Sequence, residues 1–382
     1  MDFELTADQQ QLHADTLRFA KEELKDDVVA RDREHVFPRD LWHKCGQRRL
    51  QGLPVPEALG GGGRDPLSTT VALEALGYGC GDAGLGFSIG AQLATASVPL
   101  WKFGTPAQQS RYLKGFCDGS IVGVGALSEP GAGSDAAAIA TTARSEGSGF
   151  IINGLKRYIS DAAVADVIIV YAMTDRDKGF HGGMTAFLVD SKLPGFEVTR
   201  TFAMMGMRTA PIGEIALKDV KVPADAVLGG LGGGGTVFQT AMDWERVFLM
   251  ASQLGMMQRL LDRSVQHART RKQFGQPIGK FQAVGHRLVD LKIKLEAARL
   301  LVYRAATRLE RSKTVSLDAA MAKLFASETS VEAALDAIRT FGASGYVVDT
   351  ELERALRDAV GSTIYSGTSD IQRNIIARWL GM

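Results

Sequence analysis

The chain has 382 residues, with 44 Lys or Arg against 43 Asp or Glu and a formal net charge of +1. A length beyond the roughly 250–300 residues at which one core stops growing predicts two or three packed domains, and balanced charge without a basic stripe excludes nucleic acid as an expected partner. Charges throughout the first thirty residues (Asp2, Glu4, Asp8, Lys21, Glu22, Glu23), and no run of ~18 apolar residues, point to a cytoplasmic protein with neither signal peptide nor membrane span.

Residues 1–119 read as helical. Thr6 and Gln9 have capping-box spacing ahead of Leu12 and Phe19, and short loops follow at 54–56 and 60–63. Cys45, Cys80 and Cys117 are odd in number and widely spaced, which argues against a disulfide framework or a zinc site; buried free thiols and no metal are expected. Residues 120–228 change to short β-branched runs at 121–124, 167–171 and 185–189, the pattern of a small antiparallel β domain with hairpin-like turns at Ser148-Gly149 and Asn153-Gly154. A glycine-rich stretch at 229–235 reads as a flexible hinge. Beyond it, residues 229–382 return to helical patterns, clearest in Leu288, Leu291, Leu295, Ala298, Val302, Ala305 and Leu309, a stripe that wants partner helices in a bundle. Helices, then strands, then helices predict an α+β fold and exclude a doubly wound sheet.

Two glycine-rich segments imitate nucleotide motifs. Gly131-Ala132-Gly133-Ser134-Asp135-Ala136 has the G-x-G-x-x-A spelling, but no second parallel strand ending in an acid lies ~20 residues on, so a Rossmann site is not expected. Residues 232–235 lack the Lys-Ser/Thr that a P-loop needs.

Separated stretches, in order along nearly the whole chain, resemble one family. Pro56-Glu57-Ala58-Leu59-Gly60-Gly61-Gly62-Gly63 is similar to its P-E-x-x-G-G-x-G turn, and Leu127-Ser128-Glu129-Pro130-Gly131-Ala132-Gly133-Ser134-Asp135 to its T-E-P-x-A-G-S-D loop. Lys156-Arg157-Tyr158-Ile159-Ser160 resembles K-x-W-I-T, and Arg271-Lys272-Gln273-Phe274-Gly275 with the later Gln282 resembles R-x-x-F-G and its Gln. Near the end, Ala337 to Gly345 resembles A-x-Q-x-x-G-G-x-G, and Tyr365-Ser366-Gly367-Thr368-Ser369-Asp370-Ile371-Gln372-Arg373 resembles Y-E-G-T-x-E-I-Q-R. These are motifs of the acyl-CoA dehydrogenase family, whose fold is an N-terminal helical domain, a middle β domain and a C-terminal four-helix bundle.

The resemblance implies FAD as cofactor. By it, Leu127 and Ser128 meet the pyrimidine edge of the flavin, Tyr158 covers the ring and Ser160 donates toward N5. Gly133, Ser134, Thr368 and Asp370 belong to the same cofactor-binding motifs. Arg271, Gln273, Phe274, Gln282 and Gly342 reach the FAD of a neighbouring subunit, which implies a homo-oligomer, with a tetramer expected. Arg339 stands where Gln is common and adds a charge that could pair with the pyrophosphate.

The family chemistry removes an α proton from a thioester as a hydride leaves Cβ, which requires a carboxylate raised in pKa by a closed apolar pocket. The commonest family position for that Glu holds Ser366 here. A minority places it on the first bundle helix in a D-x-E-R context, and Asp243-Trp244-Glu245-Arg246 resembles that pattern, so Glu245 is the expected base, with Trp244, Val247 and Phe248 desolvating it. The backbone N–H at Ser366 keeps its family role toward the thioester carbonyl, and Ser134, Arg246 and Gly367 complete the expected substrate contacts. This combination most resembles dehydrogenases of prolyl groups on peptidyl carrier proteins. A short branched acyl-CoA is the alternative substrate, and an inactive carrier-binding paralogue the alternative of another class. The electron acceptor expected is an electron-transfer flavoprotein or oxygen.

Overall fold

The computed structural model describes residues 4–25, 27–311 and 315–382; residues 1–3, where the first helical segment was expected to begin, lie outside them. Helix α1 (Ala7–Glu23) opens on the Thr6/Gln9 capping box and buries Phe19. Helices α2 (Val28–Glu34) and α3 (Arg39–Gln47) lead to α4 (Pro66–Gly79), which is buried over most of its length. Helix α5 (Ala83–Gln92) runs through one π-helical turn, Leu93–Ser97, into α6 (Val98–Phe103), and α7 (Pro106–Asp118) closes the segment. Cys45, Cys80 and Cys117 are free and buried, as expected.

Next come β1 (Gly123–Ala126), β2 (Thr142–Glu146), β3 (Gly149–Ser160) and β4 (Val167–Met173). A short helix α8 (Phe180–Gly183) precedes β5 (Met184–Asp190), followed by β6 (Phe196–Thr201), β7 (Ile212–Pro223) and β8 (Val227–Leu228). The sheet order is β6-β7-β3-β2-β4-β5-β8, with β1 added on β4. It is mostly antiparallel, as expected, and β4 also pairs in parallel with both β1 and β2. The turn at Ser148-Gly149 does join β2 to β3. Asn153-Gly154 does not turn the chain: it lies inside β3, where the register against β7 shifts between Ile152 and Gly154, a bulge that absorbs the glycine.

The 37-residue helix α9 (Gly234–Thr270) is the axis of the molecule. It packs against α4, and against α10 (Gln282–Arg311), α11 (Ser316–Phe341) and α12 (Leu352–Ser362), while α13 (Ser369–Trp379) lies on α11. The α4–α9 approach is at backbone contact: a Cβ on Gly77 would sit 2.2 Å from the Ser252 carbonyl oxygen, and one on Gly255 2.1 Å from that of Glu74. The expected flexible hinge is instead a packed corner, because Gly234 and Gly235 already form the first turn of α9 and lie against residues 180–186. The α10 stripe from Leu288 to Leu309 is buried in full. No helix among the described residues is long and apolar enough to cross a membrane.

Candidate active site

The middle of α9 is enclosed on all sides, which takes charged residues into the interior along with apolar ones. Glu245 is 8% exposed, between Trp244 at 2% and Val247 and Phe248 at 0%. Trp244 is fixed by edge-on contacts with Trp101 and Phe248, ring centroids 6.1 and 5.4 Å apart. Burial pushes the Glu245 carboxyl up from 4.5 to about 7, opposed by the nearby Ser366 hydroxyl, Arg246 and Lys323. That hydroxyl stands close enough to bias the carboxyl, yet Ser366 Oγ meets no hydrogen-bond geometry with any described residue.

The turn carrying Ser366 is held from behind. Ser366 and Gly367 have φ of 55° and 90°, consecutive left-handed residues. Gln372 Nε2 donates to their carbonyl oxygens at 3.1 and 2.8 Å, and Arg246 Nε donates to that of Ser366 at 3.3 Å. Among the described residues, no backbone acceptor meets the N–H groups of Ser366 and Gly367. Arg246, one of the expected substrate contacts, is 6% exposed and pairs with Asp243 at 3.2 Å, while Asp243 also accepts from Ser316 Oγ at 3.0 Å. Arg246 Nε and Nη1 therefore tie the Ser366 turn to Asp243 of α9. Lys323 of α11, not anticipated from sequence, is fully buried, and its Nζ has no hydrogen-bond partner among the described residues. Burial and the neighbouring Arg246 pull it down to about 8.

A second group forms where β1 ends beside β3. Lys156 Nζ donates to the Leu127 carbonyl at 3.0 Å and to Glu129 at 2.8 Å, and Glu129 also accepts from the N–H of Ala140 and Thr141. Burial alone would raise Glu129, but Lys156 and these bonds carry it below the usual carboxylate range, while burial lowers Lys156 to about 8. Ser128 is tied by its carbonyl to Arg157 N–H at 2.9 Å. Between Lys156 and Ile159 the register of β3 against β7 slips, and Tyr158 takes φ 59°. A bulge with a left-handed residue re-aims the side chain, and Tyr158 is 60% exposed with its ring 4.8 Å from that of Phe202. Sequence reasoning missed Phe202. Just beyond Ser160, Asp161 is buried and accepts from Ser88 Oγ at 2.8 Å, its carboxyl pushed by burial to about 7.

Other expected residues are spread further. Gly133 and Ser134 lie on an exposed loop. Thr368 caps α13 by accepting from Ile371 N–H, and Asp370 faces solvent beside Arg373. Arg271 lies 26 residues beyond Glu245, about 39 Å along a helix axis, so it cannot share one flavin ring with Glu245 of its own chain. Gln273 and Phe274 are on the exposed β9–β10 ribbon (Lys272–Gln273, Gln276–Pro277), Phe274 being 93% exposed, and Gln282 starts α10 in solvent. Arg339 is exposed and bonded to Asp336 at 3.1 Å, with Gly342 capping α11. The stack of His267 on Phe341, centroids 4.0 Å apart, brings these last two groups to one end of the bundle.

A flavin needs a flat apolar face and polar groups at its edges. The exposed Tyr158–Phe202 surface and the Ser160 hydroxyl fit it, and Ser366 Oγ, Ser369 Oγ and Gln372 Oε1 are buried polar atoms with no partner among the described residues.

Family models of the acyl-CoA dehydrogenase N-terminal, middle and C-terminal domains match residues 6–120, 125–220 and 232–381. The chain is 37% identical over its full length to the L-prolyl-[peptidyl-carrier protein] dehydrogenase of Serratia sp. (strain ATCC 39006), covering 99% of that protein. The crystal structure of the prolyl acyl carrier protein oxidase AnaB superposes with a TM-score of 0.97 at 41% identity, over 99% of this chain and 100% of that one. The structure of PigA with FAD and proline gives 0.97 at 37% identity, over 100% and 99%. Three domain matches in the order of the observed helical, β and helical segments, with full-length relatives in sequence and structure, establish that the chain belongs to the acyl-CoA dehydrogenase family.

Proposed function

We propose that this protein is an FAD-dependent dehydrogenase of a prolyl thioester carried on a peptidyl carrier protein, and that Glu245 is its base. The observation that carries the reading is the buried Glu245 carboxyl, raised to about 7 beside a turn whose Ser366 and Gly367 N–H groups meet no backbone acceptor among the described residues. The carrier-bound proline is supported by the Serratia relative and by PigA, solved with proline.

Bound FAD supplies the hydride acceptor. Tyr158 and Phe202 offer it a face, while Leu127 and Ser128, anchored by Lys156 and Arg157, set the edge it meets. Glu245 takes the α proton. The pocket wall of Trp244, Val247 and Phe248 keeps water away, so the carboxylate is not stabilised by hydration and holds the affinity for protons that the step requires. The Ser366 and Gly367 N–H groups receive the thioester oxygen as negative charge develops on it, and Arg246 and Gln372 hold that turn in place.

The enzyme works in the cytoplasm as a homo-oligomer, a tetramer in this reading. Arg271, Gln273, Phe274, Gln282, Arg339 and Gly342 then complete a neighbour's FAD site. The exposure of Phe274, and of Val289, Ile293 and Leu300 on α10, supports that burial by a second copy. Electrons pass on to an electron-transfer flavoprotein or oxygen. Anaerobic titration of the yellow protein with prolyl-loaded carrier protein, beside isovaleryl-CoA, tests the reading. Bleaching by the carrier substrate is expected, and bleaching by the CoA ester alone would replace it with a short branched-chain acyl-CoA activity.

A further inference from the structure

Strand β3 ends at Ser160, which is partly exposed, and the next residue, Asp161, is buried. Asp161 takes φ 56° and ψ 18°, a left-handed conformation that Asp and Asn adopt more readily than most residues, and its carbonyl accepts the Val164 N–H at 3.0 Å. Its carboxyl accepts one hydrogen bond among the described residues, from the buried Ser88 Oγ of α5 at 2.8 Å. No cation among those residues bonds it. Arg39 of α3 is the charged group that biases it, and that guanidinium donates to the Val164 carbonyl at 3.3 Å instead. Helix α5 carries no ionisable side chain, and β7 meets the following turn through Gly213, where a Cβ would lie 2.8 Å from that of Ala162. On β3 itself, Lys156 is bonded to Glu129 and Arg157 to Glu214. One neutral donor is too little to hold a carboxylate ionised away from water; Glu129 has Lys156 and two N–H groups for that. Burial accordingly pushes the Asp161 carboxyl up to about 7.

Resting on the reading that this is a flavin dehydrogenase whose Ser160 donates toward N5, we propose that Asp161 is a positioning residue that works as a neutral acid. It fastens the Ser160 turn to Ser88 and keeps negative charge away from N5. A hydride brings two electrons to N5, and a carboxylate one residue from Ser160 opposes their arrival. A protonated Asp161 does not. Where the carboxyl has ionised, reduction of the flavin draws its proton back, so two protons instead of one accompany the two electrons. That second proton changes the equilibrium tenfold per pH unit, about 30 mV for a two-electron couple.

The test adds Asp161→Asn to a Glu245→Gln parent, in which the other carboxyl near 7 is silent. Asn tolerates the left-handed backbone and its Oδ1 accepts from Ser88, so the variant should fold and bind FAD. Above pH 7 the midpoint potential of the bound flavin should fall more steeply in the parent than in Asp161→Asn, by up to about 30 mV per pH unit, with equal slopes below pH 6. Ser88→Ala withdraws the donor that favours the carboxylate, so the steeper slope should begin at higher pH. Melting of the apoprotein needs no flavin. The folded parent holds the Asp161 proton up to about 7, whereas the unfolded chain releases it near 3.8, so Asp161→Asn should gain in melting temperature over the parent as pH rises from 5 to 8. Asp161→Ala unties the turn and should weaken FAD binding at least about tenfold at pH 6, with Asp161→Asn within about threefold. Equal melting profiles overturn the neutral acid. Equal potential slopes above pH 7, or an onset unmoved in Ser88→Ala, overturn its link to N5. A wild type inert toward prolyl carrier, with slopes and profiles that move as expected, keeps Asp161 in this role and removes the prolyl reading, while prolyl activity with matched slopes does the reverse.

Discussion

The molecule buries two glutamates with a lysine in the neighbourhood, and it treats them in opposite ways. Glu129 touches Lys156 directly and accepts two backbone N–H groups, so it stays ionised and is held below the usual range. Glu245 has Lys323 near enough to bias it but without a hydrogen-bond partner among the described residues, and it rises to about 7. The residue types are the same; what differs is how many hydrogen bonds reach the charged form. A fully satisfied carboxylate is scaffold, whereas an under-satisfied one keeps an affinity for protons that chemistry can use.

The sharpest way to break this contrast is to neutralise each acid. Glu245→Gln should lower turnover at saturating substrate by at least about 100-fold while the protein stays yellow; near-normal turnover would take Glu245 out of the chemistry. Glu129→Gln should act on the fold instead. Leaving Lys156 buried without its carboxylate should cost about 3–5 kcal/mol, seen as a lower melting temperature and weaker flavin retention.

The two acids also respond to pH with opposite sign. Glu129 has a depressed folded pKa, so its contribution is present above the unfolded value and lost as pH falls through the folded one. Glu245 is raised, so the folded state holds its proton up to about 7 while the unfolded state releases it near 4.5, and its contribution declines as pH rises between them. Relative to wild type, Glu245→Gln should therefore melt higher at pH 8 than it does at pH 5. Activity runs the other way: kcat/KM should rise with pH through about 7 as the base ionises. Lys323→Met removes a positive charge that favours the carboxylate, so its acid limb should move upward by about half a unit to one unit. An unmoved limb would make Lys323 a packing residue only. The smallest effect is expected from Ser366→Ala, within about threefold of wild type, since the turn acts through its backbone.

Much of this was legible in the chain. The α10 stripe, the Thr6/Gln9 cap and the three-part order are local signals that packing had no reason to override. Glu245 was legible only through its Asp243-Trp244-Glu245-Arg246 context, because the middle of α9 is enclosed all round and has no polar face to mark what is inside. Lys323 lay hidden for a related reason: in an alanine-rich helix a lysine reads as a solvated residue, and only the packing of α11 on α9 buries it. Tyr158 was found as an aromatic, but its left-handed backbone and its partner Phe202 arise from a slip in strand pairing that no single strand encodes. Asn153-Gly154 misled because a bulge and a turn use the same dipeptide. The scaffold bonds of Arg246 were not legible, because its partners lie on α9, 3 residues back, and on a turn 120 residues on.

One consequence of α9 concerns time. Its central turns are locked between α4, α5 and α11, so the proposed base reaches its working place when the chain folds and not when a substrate arrives. A carboxylate on a surface loop must be brought to bear in every cycle, and that motion can mask the bond-breaking step. Here no such motion stands between binding and proton removal, and deuterium at the substrate α carbon should slow single-turnover bleaching by its full intrinsic factor.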